Sequence, residues 1–183
     1  MEKYIALLRG VNISGKNKIS MLELKNEFIE LGYSGVVTYL NSGNVIFMSN
    51  VNSIYDITSS IHEMIKNKFD IDIPIFVISY HELKELFDNR PSWWESNDKS
   101  IYDNIIFVIS PHTCGKICDV LGDINSELEK IKIYKNNIFW SYDLNNYRKT
   151  NWWSRTASTS IRDYITIRTA NTVRKILKIC EVE

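Results

Sequence analysis

The sequence has no apolar run approaching the roughly 20 residues that a membrane-spanning helix requires, so no membrane partner is expected. The apolar stretch near the N-terminus ends at Arg9 and Gly10, too short for the core of a secretory signal. Cysteine is scarce. Cys114, Cys118 and Cys180 make an odd, small set, which points to reduced thiols in a cytoplasm and not to a disulfide framework. No second cysteine pair accompanies Cys114 and Cys118, and His62 and His81 lie far along the chain from His112, so a structural zinc site is not expected. The two thiols read as buried groups on one helical face. Three isolated histidines specify no catalytic triad. No catalytic acid, base or nucleophile can be named, and no cofactor is expected.

Net charge is also absent. The 22 lysines and arginines balance 22 acids, which removes any overall attraction to nucleic acid or to an anionic membrane. Repeats and low-complexity tracts are missing, and 44% of the residues are apolar, so a folded globular chain is expected. The balance is uneven along the chain, however. Residues 41–130 carry 7 cations against 14 acids, and residues 131–183 carry 10 against 4. Such asymmetry fits either an anion-binding face or a lobe that pairs with its acidic neighbour.

Periodicity supplies the elements. Tyr4 to Leu8 reads as a buried strand. Ser20 and Glu23 have capping-box spacing, so a helix should begin there, with Met21, Leu24, Phe28 and Leu31 on one face and Gly32 as its left-handed stop. Val36 to Leu40 and Val45 to Met48 flank a turn of Asn41, Ser42, Gly43 and Asn44. A second helix should follow Ser53, with Ile54, Ile57, Ile61 and Ile65 aligned, and a strand should cover Ile75 to Ile78. That order, βαββαβ, suits a ferredoxin-like sheet with two helices on one face.

A short helix from His81 and a polar loop with Trp93 and Trp94 should connect to a second half. There a strand at 105–109, a helix from Pro111 to about Leu121, a hairpin turning at Asn136-Asn137, a helix within 154–163, a strand at 165–168 and a final helix from Ala170 repeat the order. The expected fold class is α+β: two ferredoxin-like halves, 1–80 and 104–183, joined by 81–103, with an extra C-terminal helix. Tryptophans in a loop normally pack back onto the body, and a dimer contact through Trp93-Trp94 is the other reading.

The stretch Gly10 to Asn17, GVNISGKN, nearly fits a P-loop, G-x-x-x-x-G-K-[ST]. Asn17 replaces the hydroxyl residue that would hold Mg²⁺, and the helix should begin at Ser20 and not at the Gly-Lys step, so a nucleotide triphosphatase is not expected. The loop can still take an anion. Arg9, Lys16 and Lys18 lie within ten acid-free residues, Asn12 and Asn17 can donate, and Gly15 permits close backbone approach. A solvated basic loop is the plain alternative. Arg168, Asn171 and Arg174 would sit at the start of the last helix, where amides attract anions. If both places meet, they would form one electropositive cleft. Tyr147, Arg148, Lys149, Trp152, Trp153 and Arg155 interleave rings with cations, a composition that suits single-stranded nucleic acid or, equally, packing against a core.

The segment 4–17, YIALLRGVNISGKN, resembles a bacterial family designated domain of unknown function 1697. The likeness continues through Met21 to Leu24, Leu31-Gly32 and Thr38 to Phe47, and returns at Arg168 to Val173. The resemblance implies an α+β protein of two ferredoxin-like halves in a bacterial cytoplasm and implies no activity. It marks the Arg9–Asn17 loop and the Asn41–Asn44 turn as a ligand site. Binding of a small anion, such as a nucleotide or phosphorylated metabolite, is therefore the leading expectation, with Arg9, Asn12, Gly15, Lys16, Asn17, Lys18, Asn41, Asn44, Arg168 and Asn171 as its residues. An RNA or single-stranded DNA module, or a dimeric interaction protein, is the alternative.

Overall fold

A computed structural model describes residues 1–182 except Ser14, Asn97 and Thr159, and of Ser158 only the backbone. The described residues form two four-stranded antiparallel sheets and six α-helices. Contacts divide the chain into two units, Met1–Glu85 with Lys175–Glu183, and Leu86–Arg174.

The first unit grows from β1 (Glu2–Leu8), whose continuous apolar run is buried on both faces as the pattern predicts. It pairs antiparallel with β3 (Asn44–Ser49) and β4 (Ile75–Ser79), and β2 (Ser34–Tyr39) completes the order β2-β3-β1-β4. Tyr4, Ala6, Leu8, Val45 and Phe47 meet α1 (Met21–Glu30) and α2 (Ile54–Phe69) through Leu24, Phe28, Ile57, Ile61 and Ile65. Ser20 caps α1 by accepting from the Glu23 amide at 3.4 Å, and Ser53 does the same for α2 from Asp56 at 3.2 Å. Leu31 turns out of the predicted apolar face because α1 ends one residue before it. Gly32 then takes φ +87°, the left-handed stop. Ile54 is likewise exposed, being the first residue of α2.

The second half of the chain repeats the order. Helix α3 (Tyr80–Asp88) leads to β5 (Ile101–Val108), α4 (Cys114–Leu121), β6 (Glu129–Tyr134), β7 (Asn137–Asp143), α5 (Asn151–Ser158), β8 (Ile165–Thr169) and α6 (Ala170–Val182). The sheet order is β6-β7-β5-β8. Its helix-bearing face joins Ile106, Ile138, Trp140 and Ile165 to Ile117, Leu121 and Trp152. Trp94 packs back onto the body: its ring meets Phe139 edge-on at 5.2 Å, and its indole N–H donates to the Asn104 carbonyl at 3.1 Å.

Four local expectations shift. Helix α4 begins at Cys114, not Pro111, because Thr113 is the residue that caps it, accepting from Lys116 N at 3.4 Å. The β6–β7 turn places Lys135, not an asparagine, at positive φ, and Asn136 instead bridges to α4, accepting from Cys114 N and donating to His112 O, both at 2.9 Å. Helix α5 starts at Asn151, three residues before the predicted region, and gives way to a 3₁₀ turn at Ser160–Tyr164. Arg168 lies within β8, as the strand expected at 165–168 has it, so of the three residues expected at the start of the last helix only Asn171 and Arg174 lie on α6.

Candidate functional site

The loop after β1 and the turn before β3 are built into each other. The Leu8 amide donates to the Gly43 carbonyl at 2.8 Å. The Asn12 side chain then ties three strands of chain together. Its Nδ2 donates to Ile19 O at 2.9 Å and Asn41 O at 3.0 Å, while its Oδ1 accepts from Ile19 N at 2.9 Å. Asn17 Nδ2 donates back to Gly10 O at 3.1 Å, and the Asn12 amide closes on Asn17 O at 3.1 Å. Both asparagines adopt positive φ, 55° and 47°, a conformation their short polar side chains tolerate. Val11 is fully buried beneath the loop. Asn44, also fully buried, donates to Tyr39 O at 2.9 Å and Ser42 Oγ at 3.1 Å.

Asn12, Asn17 and Asn44 thus direct their amides at this chain's own backbone and fix the loop. Lys16, Lys18, Gly15 and Asn41 stand exposed on it, and Arg9 is half-buried at its root. A side chain at Gly15 would meet nothing within 4 Å, so the loop tip is open to approach. Ser14 lies outside the described residues. The helix that follows begins beyond Ser20, so phosphate cannot sit on a P-loop-type helix start at Lys16.

Arg168 and Asn171 belong to the second unit. Arg168 is 8% exposed, and its guanidinium donates to Thr166 Oγ1 and Ile167 O, both at 2.9 Å. Asn171 is exposed on the first turn of α6, where Thr169 Oγ1 accepts from Thr172 N at 3.2 Å. Arg174 on the next turn is matched to Glu95, donating through Nε at 2.8 Å, and Glu95 also meets Arg90 at 3.4 Å. The hollow of about 500 Å³ beside this helix start is lined by Asp98 and Asp103 as well as Glu95. Acids therefore offset the cations of the basic C-terminal third at this place.

The cysteines of α4 behave as core groups. Burial, with Cys118 adding to it, pushes the Cys114 thiol up to about 12, and burial also raises Cys118. At pH 8 a thiol titrating near 12 carries roughly a thousandfold less thiolate than one titrating near 9. In the folded protein, Cys114 is therefore expected to resist iodoacetamide at pH 8 and to react freely in urea. Mass-spectrometric mapping of alkylation with time distinguishes the two. Comparable labelling of Cys114 in both states would show that burial does not protect it.

The rings of the second unit divide in two. Trp152 is 1% exposed and donates its indole N–H to Gly122 O at 2.8 Å, which removes it from any stacking role. Trp153, next to it, is 40% exposed and meets Tyr147 edge-on at 4.6 Å. Arg155 donates to the Leu121 carbonyl at the end of α4 and is thereby tied to the fold.

One buried acid was not singled out by the sequence. Glu129 is 1% exposed, and its carboxylate accepts from four N–H groups: Trp140 Nε1 at 3.2 Å, Trp152 N at 3.1 Å, Asn151 N at 2.7 Å and Asn125 N at 3.0 Å. It caps α5 from a different strand, 22 residues away from Asn151. The only sequence signal is an acid at the first position of an alternating strand, which by itself reads as surface.

Two four-stranded antiparallel sheets, each with its own helices, define a mixed α+β protein whose segments 8–19 and 40–44 interlock. The chain belongs to the family described as a protein of unknown function, DUF1697, whose model matches residues 1–139. It is similar to the solved structure of the conserved bacterial protein SP0830 from Streptococcus pneumoniae. That likeness has 26% identity and a TM-score of 0.85, and it covers 97% of this chain and 98% of the other. No curated protein matches the chain. Among the described residues, no helix is long and apolar enough to cross a membrane.

Proposed function

We propose that the protein binds a small anionic ligand, a nucleotide or phosphorylated metabolite, on the loop of residues 9–18 beside the turn 41–44. One observation carries this reading. Four hydrogen bonds from the side chains of Asn12 and Asn17 hold an acid-free loop in one shape while Lys16 and Lys18 project into solvent. A loop fixed before the ligand arrives loses less conformational entropy on binding than a flexible basic loop would. Lys16 and Lys18 supply charge, Gly15 gives the backbone access, and Asn41 and Arg9 flank the approach. Asn12, Asn17 and Asn44 act by positioning. Arg168 and Asn171 belong to the second unit and carry no part of this reading. We read each sheet and its two helices as ferredoxin-like, over 1–80 and 104–183, with 81–103 between them; the strand orders support that description.

The test is a thermal-shift screen with inorganic pyrophosphate, nucleoside phosphates and sugar phosphates. A ligand at 100 times its Kd should add about 2.7 kcal/mol, which for a chain of this length raises Tm by roughly 5–10 °C. The shift should vanish in Lys16→Ala/Lys18→Ala. A ligand whose shift survives that double substitution binds elsewhere, and a screen with no shift at all removes the proposal.

A further inference from the structure

We infer that the segment from Leu144 to Trp153 is a docking surface for unpaired polynucleotide, separate from the small-anion loop. The segment leaves β7 through Asn145 and Asn146 and passes a 3₁₀ turn at Tyr147–Lys149 into α5. From Leu144 to Arg162 there is no acid, while Arg148 and Lys149 are exposed at the turn. Asn145 to Lys149 line an open hollow of about 440 Å³.

The rings are held for contact. Trp152 fastens α5 into the core, so its neighbour Trp153 is presented to solvent from an anchored helix. Tyr147 braces Trp153 edge-on at 4.6 Å, and Arg148 in turn braces Tyr147, its guanidinium 5.5 Å above the ring and its Nε donating to the phenol oxygen at 3.0 Å. Tyr102, 39% exposed, lies beside Tyr142 on the same sheet face. The acid that precedes the segment, Asp143, is turned into the loop: its carboxylate accepts from the Asn145 amide at 2.7 Å and from the Asn146 amide and side chain at 3.2 and 3.1 Å.

An exposed indole face accepts any base, and cations spaced one side chain away accept the phosphates between bases. A duplex hides its base faces, so the surface selects single strands. A neutral sugar would use the rings and asparagines but would gain nothing from Arg148 and Lys149.

Fluorescence anisotropy of a fluorescein-labelled oligo-dT 12-mer reads the interaction. Two phosphate contacts give a slope near 1.4 in log affinity against log salt, so binding should weaken about sevenfold between 50 and 200 mM salt. Trp153→Ala should weaken it by about fivefold or more, and Arg148→Ala/Lys149→Ala should flatten the salt dependence. Arg148 and Lys149 are exposed, so their double variant is expected to keep the wild-type Tm; Trp153 also packs on Tyr147, so Trp153→Ala is expected to lower Tm somewhat and its binding is read well below its own unfolding temperature. Lys16→Ala/Lys18→Ala should leave oligo-dT binding intact, which keeps failure here distinct from failure of the small-anion reading. The inference is overturned by no binding at 50 mM salt, by equal affinity for a 12-base-pair duplex, by binding that survives Trp153→Ala, or by binding lost in the Lys16/Lys18 variant instead.

Discussion

Glu129→Ala is expected to lower stability by about 3–5 kcal/mol, a large share of the total for a domain of ordinary stability. The reason is the number of donors on one buried carboxylate. Trp140 Nε1 and the amides of Trp152, Asn151 and Asn125 all point at it, and the residue is 1% exposed, so water cannot replace it at little cost. Two of those amides are the first of α5, whose free N-terminal donors need an acceptor. The loss therefore reaches the helix, the β7 core ring and the loop before β6 together. Glu129→Gln keeps the volume and one good acceptor oxygen but turns an NH₂ group toward N–H donors, so it should cost about 1–3 kcal/mol. Urea unfolding followed by tryptophan fluorescence checks both, as a lower midpoint with an unchanged slope. If alanine prevents folding altogether, the glutamine variant still decides the matter. A stability within about 1 kcal/mol of wild type for Glu129→Ala would show that those donors find other partners.

The same residue shows which parts of the structure were legible. Caps whose donor and acceptor lie three residues apart, such as Ser20 to Glu23 and Ser53 to Asp56, announce themselves in sequence, and both helices start where predicted. Helix α5 has its acceptor on β6, so no local residue marks its start, and the predicted region begins three residues late. Strand positions were legible for a related reason. Apolar runs and Asn/Gly turns are local signals, and they suffice to place the strands along the chain, while the order of strands within each sheet depends on contacts between distant segments.

The site was legible only as a place. Sequence chemistry picks out asparagines as hydrogen-bond donors without saying to what. Asn12, Asn17 and Asn44 donate to the backbone of their own loops, which only the folded chain reveals. Basic residues were misjudged by the same limit. Arg168 counts as surface charge in a composition but is buried and bonds a carbonyl and a hydroxyl of the fold, and Arg155 is tied to the Leu121 carbonyl, whereas Lys16, Lys18, Arg148 and Lys149 stand exposed.

Gly43 carries the interlock between the two family-like segments, and Gly43→Ala should cost about 2–5 kcal/mol. Two separate effects add. Gly43 sits at φ +72°, where a side chain costs about 1–2 kcal/mol. A Cβ placed there would also lie 2.8 Å from Leu8 Cβ and 3.4 Å from Val11 Cβ. Leu8 is a fully buried member of the central strand, and its amide is bonded to the Gly43 carbonyl, so neither backbone can retreat without breaking that bond. Overpacking of this kind costs about 1–3 kcal/mol. Gly32→Ala is the matched control: its φ is +87°, yet nothing lies within 4 Å of the added carbon. It should lose only about 1–2 kcal/mol, the backbone share alone. Because the clash pushes on Leu8 and Val11, Gly43→Ala should also free the Asn12-to-Asn41 tie, and amide exchange at Asn12 and Ile19 should rise more than the global loss predicts. Equal stabilities for the two alanine variants would mean that the loop and turn move apart without cost, and the loop's fixed shape would then no longer support the anion-binding reading.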